Sequence, residues 1–233
     1  MLKQPDQRLG AAASLVRQGA VFADVGTDHA HLPIFLLQSD RIIRAIASDV
    51  RVGPLDCARE NVRAAGLESR VELRLADGLS GMENCGITDI AICGMGGELI
   101  AAIIDRASFV RDEGIRLILQ PMSRAYALRR YLAENGFEIE TELLCRAQGR
   151  VYVCIAAHYT GTPYILTDAE AYCGGALLLR APDALSCAYV KAVLASLERE
   201  LAGKAVSEAK EDCTALSATV ETLRRYLMKE HTS

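Results

Sequence analysis

Between residues 6 and 135, short apolar runs alternate with longer amphipathic stretches. The opening stretch, 6–17, sets Leu9, Ala12, Ala13 and Val16 on one helical face, with Gly19 as its stop. Apolar runs at 20–25, 45–49, 71–75, 89–93 and 116–120 predict strands. The intervening segments 31–38, 53–65, 96–107 and 123–135 predict helices, the last ended by Asn135-Gly136. The pattern then changes. Two strand-like runs, 137–144 and 150–158, are joined by a polar loop, 145–149, with no helix between them, so they form an antiparallel hairpin at one edge. Beyond Thr160-Gly161-Thr162-Pro163 the strands cease. Leu185, Tyr189, Leu194, Leu197 and Leu201 approximate one helical stripe, while Leu216, Val220, Leu223 and Leu227 follow a coiled-coil seam. The turn between these helices is predicted at 202–207, and the pair is read as a hairpin packed on itself.

Strands alternating with helices of this length imply crossover connections, hence a parallel sheet with both faces covered. Five parallel strands followed by an antiparallel hairpin is the inventory of the class I methyltransferase sheet, a Rossmann-like α/β fold, and not of the six-strand dinucleotide-binding sheet. The expected organisation is an α/β unit over 1–160 and an α-helical coiled-coil hairpin over 165–233.

Composition narrows the class. The chain has 233 residues, half of them apolar, enough for one α/β domain and a smaller appendage. No apolar run reaches the roughly 18–20 residues of a membrane span, and the polar first ten residues lack a secretory leader's pattern. The eight cysteines are scattered, with no Cys-x-x-Cys pair, so reduced thiols in a cytoplasmic protein are expected and no metal site. The net charge of −4 argues against gross attraction to nucleic acid, yet 21 of the 26 basic residues are arginine, whose planar fork grips phosphate.

In an open parallel sheet, ligands bind beyond the carboxyl ends of the strands, where the strand order reverses. The unusual residues sit there. Strand one ends in Asp24-Val25-Gly26-Thr27-Asp28-His29-Ala30-His31. Asp28 stands where a dinucleotide fingerprint has its second glycine; a carboxylate there repels pyrophosphate but attracts an amine or a sulfonium. Strand two ends in Asp49-Val50, where a carboxylate can accept ribose hydroxyls. Strand three ends in Ala76-Asp77-Gly78, where one can accept the adenine amine, and strand four in the glycine-rich Cys93-Gly94-Met95-Gly96-Gly97. Any one of these carboxylates suits a helix cap. Three at successive strand ends point instead to S-adenosylmethionine. The expected cofactor set is Asp24, Gly26, Thr27, Asp28, His29, Asp49, Val50, Ala76, Asp77, Gly78, Cys93 and Gly94.

The run from Asp24 to Ala30 followed by Leu32-Pro33 resembles the bacterial tRNA (adenine-22-N1)-methyltransferases, as do Cys93-Gly94-Met95-Gly96-Gly97-Glu98 and Leu119-Gln120-Pro121-Met122. The resemblance covers residues 1–160 and implies methyl transfer from S-adenosylmethionine to N1 of an adenine in tRNA. N1 carries its own lone pair, so catalysis is expected from alignment. Asp28, His29, His31 and Met95 are the candidate catalytic residues, with Asp28 read equally as a cap or cofactor contact. Arg51, Arg124, Arg146 and Arg150, in loops at the sheet's ligand end, are the candidate tRNA contacts. The expected state is a monomer or weak homodimer, the helical pair binding either tRNA or a second copy. The alternatives are a methyltransferase for another RNA or a small molecule, and a non-catalytic S-adenosylmethionine- or RNA-binding protein.

Overall fold

The computed structural model describes residues 6–27, 29–206 and 213–229. Helix α1 (Gln7–Leu15) starts on Asp6, whose carboxylate accepts the backbone N–H groups of Arg8 and Leu9. It ends short of Gly19. Val16 is already extended, and Arg17 turns to bind the buried carboxylate of Asp89 through its backbone N–H and its guanidinium, both at 2.8 Å. A tertiary ion pair, not a glycine, stops the helix.

The crossover units follow in order: β1 (Ala20–Val25), α2 (His31–Gln38), β2 (Ile42–Asp49), α3 (Val52–Ala64), β3 (Val71–Leu75), β4 (Asp89–Gly96), α4 (Gly97–Arg106), β5 (Arg116–Ser123) and α5 (Ala125–Glu134). The hairpin β6 (Phe137–Ala147) and β7 (Arg150–Tyr159) closes the sheet in the order β3-β2-β1-β4-β5-β7-β6. The first five strands are parallel, and β7 runs antiparallel to both β5 and β6.

Two segments differ from the sequence reading. The glycine-rich segment after Cys93 is not a loop: β4 continues to Gly96 beside β5, with register shifts around Met95. The predicted hairpin loop 145–149 shrinks to Gln148 and Gly149, both at positive φ, as a two-residue turn matched to strand twist requires. Polarity at Arg146 marked solvent exposure and not the end of pairing.

Side chains alternate across the sheet. Phe22, Ala45, Ala47, Ala91, Ile118, Cys154 and Ala156 pack under α1, α2 and α3. Ala23, Val25, Ile46, Ile90, Ile92, Leu117, Leu119, Val153 and Ile155 pack under α4 and α5. The second face also carries the C-terminal helices α6 (Asp168–Cys173), α7 (Gly175–Leu179), α8 (Ala184–Val206) and α9 (Thr214–Met228). Arg224 pairs with Glu198, and the Tyr226 hydroxyl bonds Ser186 at 3.0 Å, the order of two antiparallel helices.

That pair does not pack only on itself. Tyr189, Val190, Leu194, Leu197, Val220 and Leu223 join the same buried cluster as Leu128, Val153 and Ile155. The stripe and the seam therefore face the sheet as well as each other. The predicted turn at 202–207 is helical through Val206, and position 207 lies outside the described residues.

Arg129 fixes this junction from inside. Its guanidinium is 1% exposed, bonds the Glu142 carboxylate at 2.6 Å, and donates to the carbonyls of Ala171 and Tyr172. One residue of α5 thus ties β6 to α6.

Candidate functional site

Strand order reverses between β1 and β4, the neighbours from which the chain departs in opposite directions, and a cavity of about 670 Å³ opens there. Its floor is the carboxyl ends of β1 to β5. Asp24 from β1 and Asp49 from β2 line it, both nearly buried at 7% and 6% exposure. The Asp24 carboxylate accepts the Thr27 hydroxyl at 2.5 Å. Burial pushes the Asp24 carboxyl up to about 6, against the lowering effect of that hydrogen bond. Asp49 accepts the backbone N–H of Arg51 at 2.8 Å, which orients its carboxylate at the start of α3.

Gly26 has a positive φ of 73°, and a Cβ there would lie 2.2 Å from the Met95 methyl. The first loop therefore passes directly beneath Met95, which brings β1 and β4 together at the cavity floor. At Gly97 a Cβ would meet the Arg124 carbonyl at 2.3 Å, so α4 begins against the backbone that starts α5. After Gly26 the chain holds two further non-glycine residues in the left-handed region, His29 at φ 64° and Ala30 at φ 55°. Such strain persists only where surroundings enforce it. Here Ala30 is fully buried and Asn61 of α3 bonds the His29 carbonyl at 2.9 Å. His29 and His31 stack at 5.6 Å.

Of the expected cofactor set, Asp24, Gly26, Asp49, Val50, Ala76, Asp77, Gly78, Cys93 and Gly94 line the cavity. Thr27 and His29 are not among its lining residues: Thr27 is buried behind Asp24 as its hydrogen-bond donor, and His29 lies at positive φ in the turn that follows. Asp28 lies outside the described residues. Asp77 lines the rim, but its carboxylate is exposed and paired with Arg106 at 2.9 Å. Of the expected catalytic residues, His31 and Met95 border the cavity. Burial pushes the Cys93 thiol well above its ordinary range, so it is held as the neutral thiol.

The four arginines do not form one patch. Arg51 stands at the cavity rim beside Asp49, whereas Arg124, Arg146 and Arg150 gather at a different cavity next to α5 and the hairpin tip.

Sequence reasoning missed three contributors. Asp6, Arg8 and Leu9 of the first helix close one side of the cavity, with the Arg8 guanidinium 3.0 Å from the Met122 sulfur. Leu99 and Ile103 of α4 supply an apolar wall. Gln120, 1% exposed, lines the floor while its side-chain oxygen accepts the Gly94 N–H at 3.3 Å. A glutamine inside the run Leu117-Ile118-Leu119-Gln120 was the available signal, since a polar side chain in a buried parallel strand needs partners.

The strand order, the reversal-point cavity and the carboxylates at its first two strand ends define a class I methyltransferase fold. The family described as a methyltransferase domain matches residues 6–155. The tRNA (adenine(22)-N(1))-methyltransferase of Bacillus subtilis is 34% identical over 151 residues, covering 65% of this chain and 63% of that protein, a little under two thirds of its length. A putative tRNA (m1A22) methyltransferase from Streptococcus pneumoniae superposes with a TM-score of 0.84 at 32% identity, covering 96% of this chain and 100% of that one. The structure of that protein in complex with S-adenosyl-L-methionine gives a TM-score of 0.83 with the same identity and coverage. The chain belongs to the methyltransferase-domain family and, within it, to the bacterial tRNA (adenine-22-N1)-methyltransferases. Among the described residues no helix is long and apolar enough to cross a membrane.

Proposed function

We propose that this protein transfers a methyl group from S-adenosylmethionine to N1 of an adenine in tRNA, position 22 by likeness to its relatives. The observation that carries this reading is the cavity at the sheet's reversal point, with Asp24 and Asp49 held inside it. Its volume of about 670 Å³ falls among the roughly 300–1,000 Å³ sites that hold ligands of this size. The donor set also fits. Asp49 is oriented to accept ribose hydroxyls, Asp24 suits a cationic amine, and Val50, Leu99 and Ile103 offer apolar surface to an adenine ring.

Bound there, S-adenosylmethionine supplies an electrophilic methyl on a sulfonium. The chain's own part is alignment. N1 has a lone pair in its plane, so no general base is required before attack, and rate comes from holding the two partners in line. Met95 and His31 border the cavity where a base extruded from the RNA would arrive. We assign Asp28 to the base amine or to the positive charge on the product, and His29 to the support of that loop. Residues 1–160 are the methyl-transfer unit and 165–233 the helical unit. We place the protein in the cytoplasm with its tRNA substrate, as a monomer or weak homodimer.

The test is methylation of tRNA transcripts bearing adenine or guanine at position 22, with calorimetry of cofactor binding beside it. Label is expected only in the adenine transcript, as 1-methyladenosine. Asp49→Ala should weaken cofactor binding by about 1–3 kcal/mol, the cost of losing a charged acceptor. Equal labelling of both transcripts refutes the assigned base, and unchanged affinity removes Asp49 from the cofactor site.

A further inference from the structure

A second cavity, about 780 Å³, adjoins the first at the end of β5. Gln120 lines the cofactor cavity, and the next two residues, Pro121 and Met122, line the second. Its walls come from three places: the start of α5, the tip of the β6–β7 hairpin, and the exposed side of α8. Two of these elements are remote in sequence, so only the packing of the C-terminal helices on the sheet creates the groove.

Its lining is unlike the chain as a whole. The protein carries a net charge of −4, yet this groove gathers Arg124, Arg146, Arg150 and Arg199; Glu200 is the acid among its described lining residues, and Arg124 is paired with Glu98 of α4 at 2.6 Å. Arg146 and Arg150 are exposed, and neither has a carboxylate partner among the described residues. Among the described residues Arg199 bonds the Ala195 carbonyl of its own helix and pairs with no carboxylate. Arginines without acids are costly to cluster by mutual repulsion unless an anion neutralises them. Among them lie rings: Tyr126 and Tyr172 pack at 4.8 Å between centroids, and both line the groove. The first turn of α5 opens into it without a side-chain cap. Both rings are half-buried, and guanidinium groups beside aromatic rings that line a groove are the chemistry that holds unpaired nucleotides, phosphate on charge and base on ring.

We propose that this groove seats the unpaired RNA strand flanking the target adenine, with phosphates on Arg146, Arg150 and Arg199 and a base against the Tyr126–Tyr172 pair. The strand passes over Met122, and the target base enters the cofactor cavity from there. The C-terminal helices therefore serve as one wall of the RNA site. This proposal rests on the reading of the protein as a tRNA methyltransferase, and its test keeps the two separable.

The experiment uses the full chain, measures tRNA binding directly against salt, and measures methylation separately. The Arg146→Ala/Arg150→Ala double variant and Arg199→Ala should each raise the dissociation constant and the KM for tRNA, on the order of tenfold for the double, with kcat and cofactor affinity near parental. Loss of two phosphate contacts should also flatten the salt dependence of binding by about 1.4 in log–log slope, the single-strand value. Arg146→Lys/Arg150→Lys should restore that slope, which a merely structural role would not predict. Removing the same charge elsewhere, in Arg59→Ala/Arg63→Ala on α3, should change neither. Parental tRNA affinity and slope in the groove variants would overturn the proposal, as would a change in their oligomeric state without a change in RNA affinity. If the parent binds tRNA through the groove but methylates none, the activity reading fails and the groove stands.

Discussion

Asp24 combines two properties that are separately ordinary. It lies at the end of a buried parallel strand, and it lines a cavity where, among the described residues, the Thr27 hydroxyl hydrogen-bonds it. The result is a carboxyl raised to about 6, ionising close to neutral pH. The other titratable groups lining the cavity are Asp6 at the cap of α1, Arg8 on α1, His31, Asp49, Arg51, Asp77 and Cys93. An ionised Asp24 holds a cation better than a neutral one, so S-adenosylmethionine affinity should rise between about pH 5 and pH 7, and Asp24→Asn should abolish the rise. The stability of the protein without cofactor runs the other way. The unfolded carboxyl titrates near its ordinary value and the folded one near 6, so Asp24's contribution is present below about pH 4 and is lost as pH rises through 6. Thermal midpoints of parent and Asp24→Asn across that range should diverge; parallel curves would mean that Asp24 is not buried as described.

The element that decides the molecule's outline is α5, because Arg129 makes its inner face polar in a place where leucine would be ordinary. Burial alone would drive the guanidinium toward neutrality, but the Tyr189 hydroxyl and the Glu142 carboxylate hold it charged. A pair like this adds little net stability over an apolar core, yet half of it is expensive to remove. Arg129→Met should cost about 3–5 kcal/mol in denaturant unfolding, since Glu142 is left buried without its partner. Arg129→Met/Glu142→Leu should recover most of that loss. A double variant no better than the single would assign the cost to the carbonyls of Ala171 and Tyr172, which also lose their donor.

At the scale of the whole molecule, the helical pair is part of the core that covers one face of the sheet. Cutting the chain near Pro163 removes Tyr189, Val190, Leu194, Leu197, Val220 and Leu223 from contact with that face, and removes the α8 wall of the arginine groove. The truncated chain should therefore show a lowered thermal midpoint and bind apolar dyes, instead of behaving as a free-standing cofactor-binding domain. Circular dichroism melting with cofactor calorimetry reads this directly. A truncated protein that melts like the parent and binds cofactor as well would show that the helices add no stability to the sheet.

The alternation of short apolar runs with amphipathic stretches was enough to determine five crossover strands, their helices and the edge hairpin. Those features depend on local periodicity, and local periodicity is written in the chain. That Asp24, Gly26, Asp49 and Gly94 would meet at one cavity was legible for the same reason: a strand end is found from its own sequence, and parallel strands align those ends. Direction was not legible. The pairing of Asp77 with Arg106 and the positive φ of His29 depend on neighbours brought from elsewhere in the chain. The contributions of α1 and Gln120 to the cavity, the joining of the helical seam to the sheet, and the gathering of Arg124, Arg146, Arg150 and Arg199 around one groove were decided only by tertiary packing. Each joins residues tens of positions apart, and nothing in the local pattern of apolar and polar residues encodes which distant surface an element will meet.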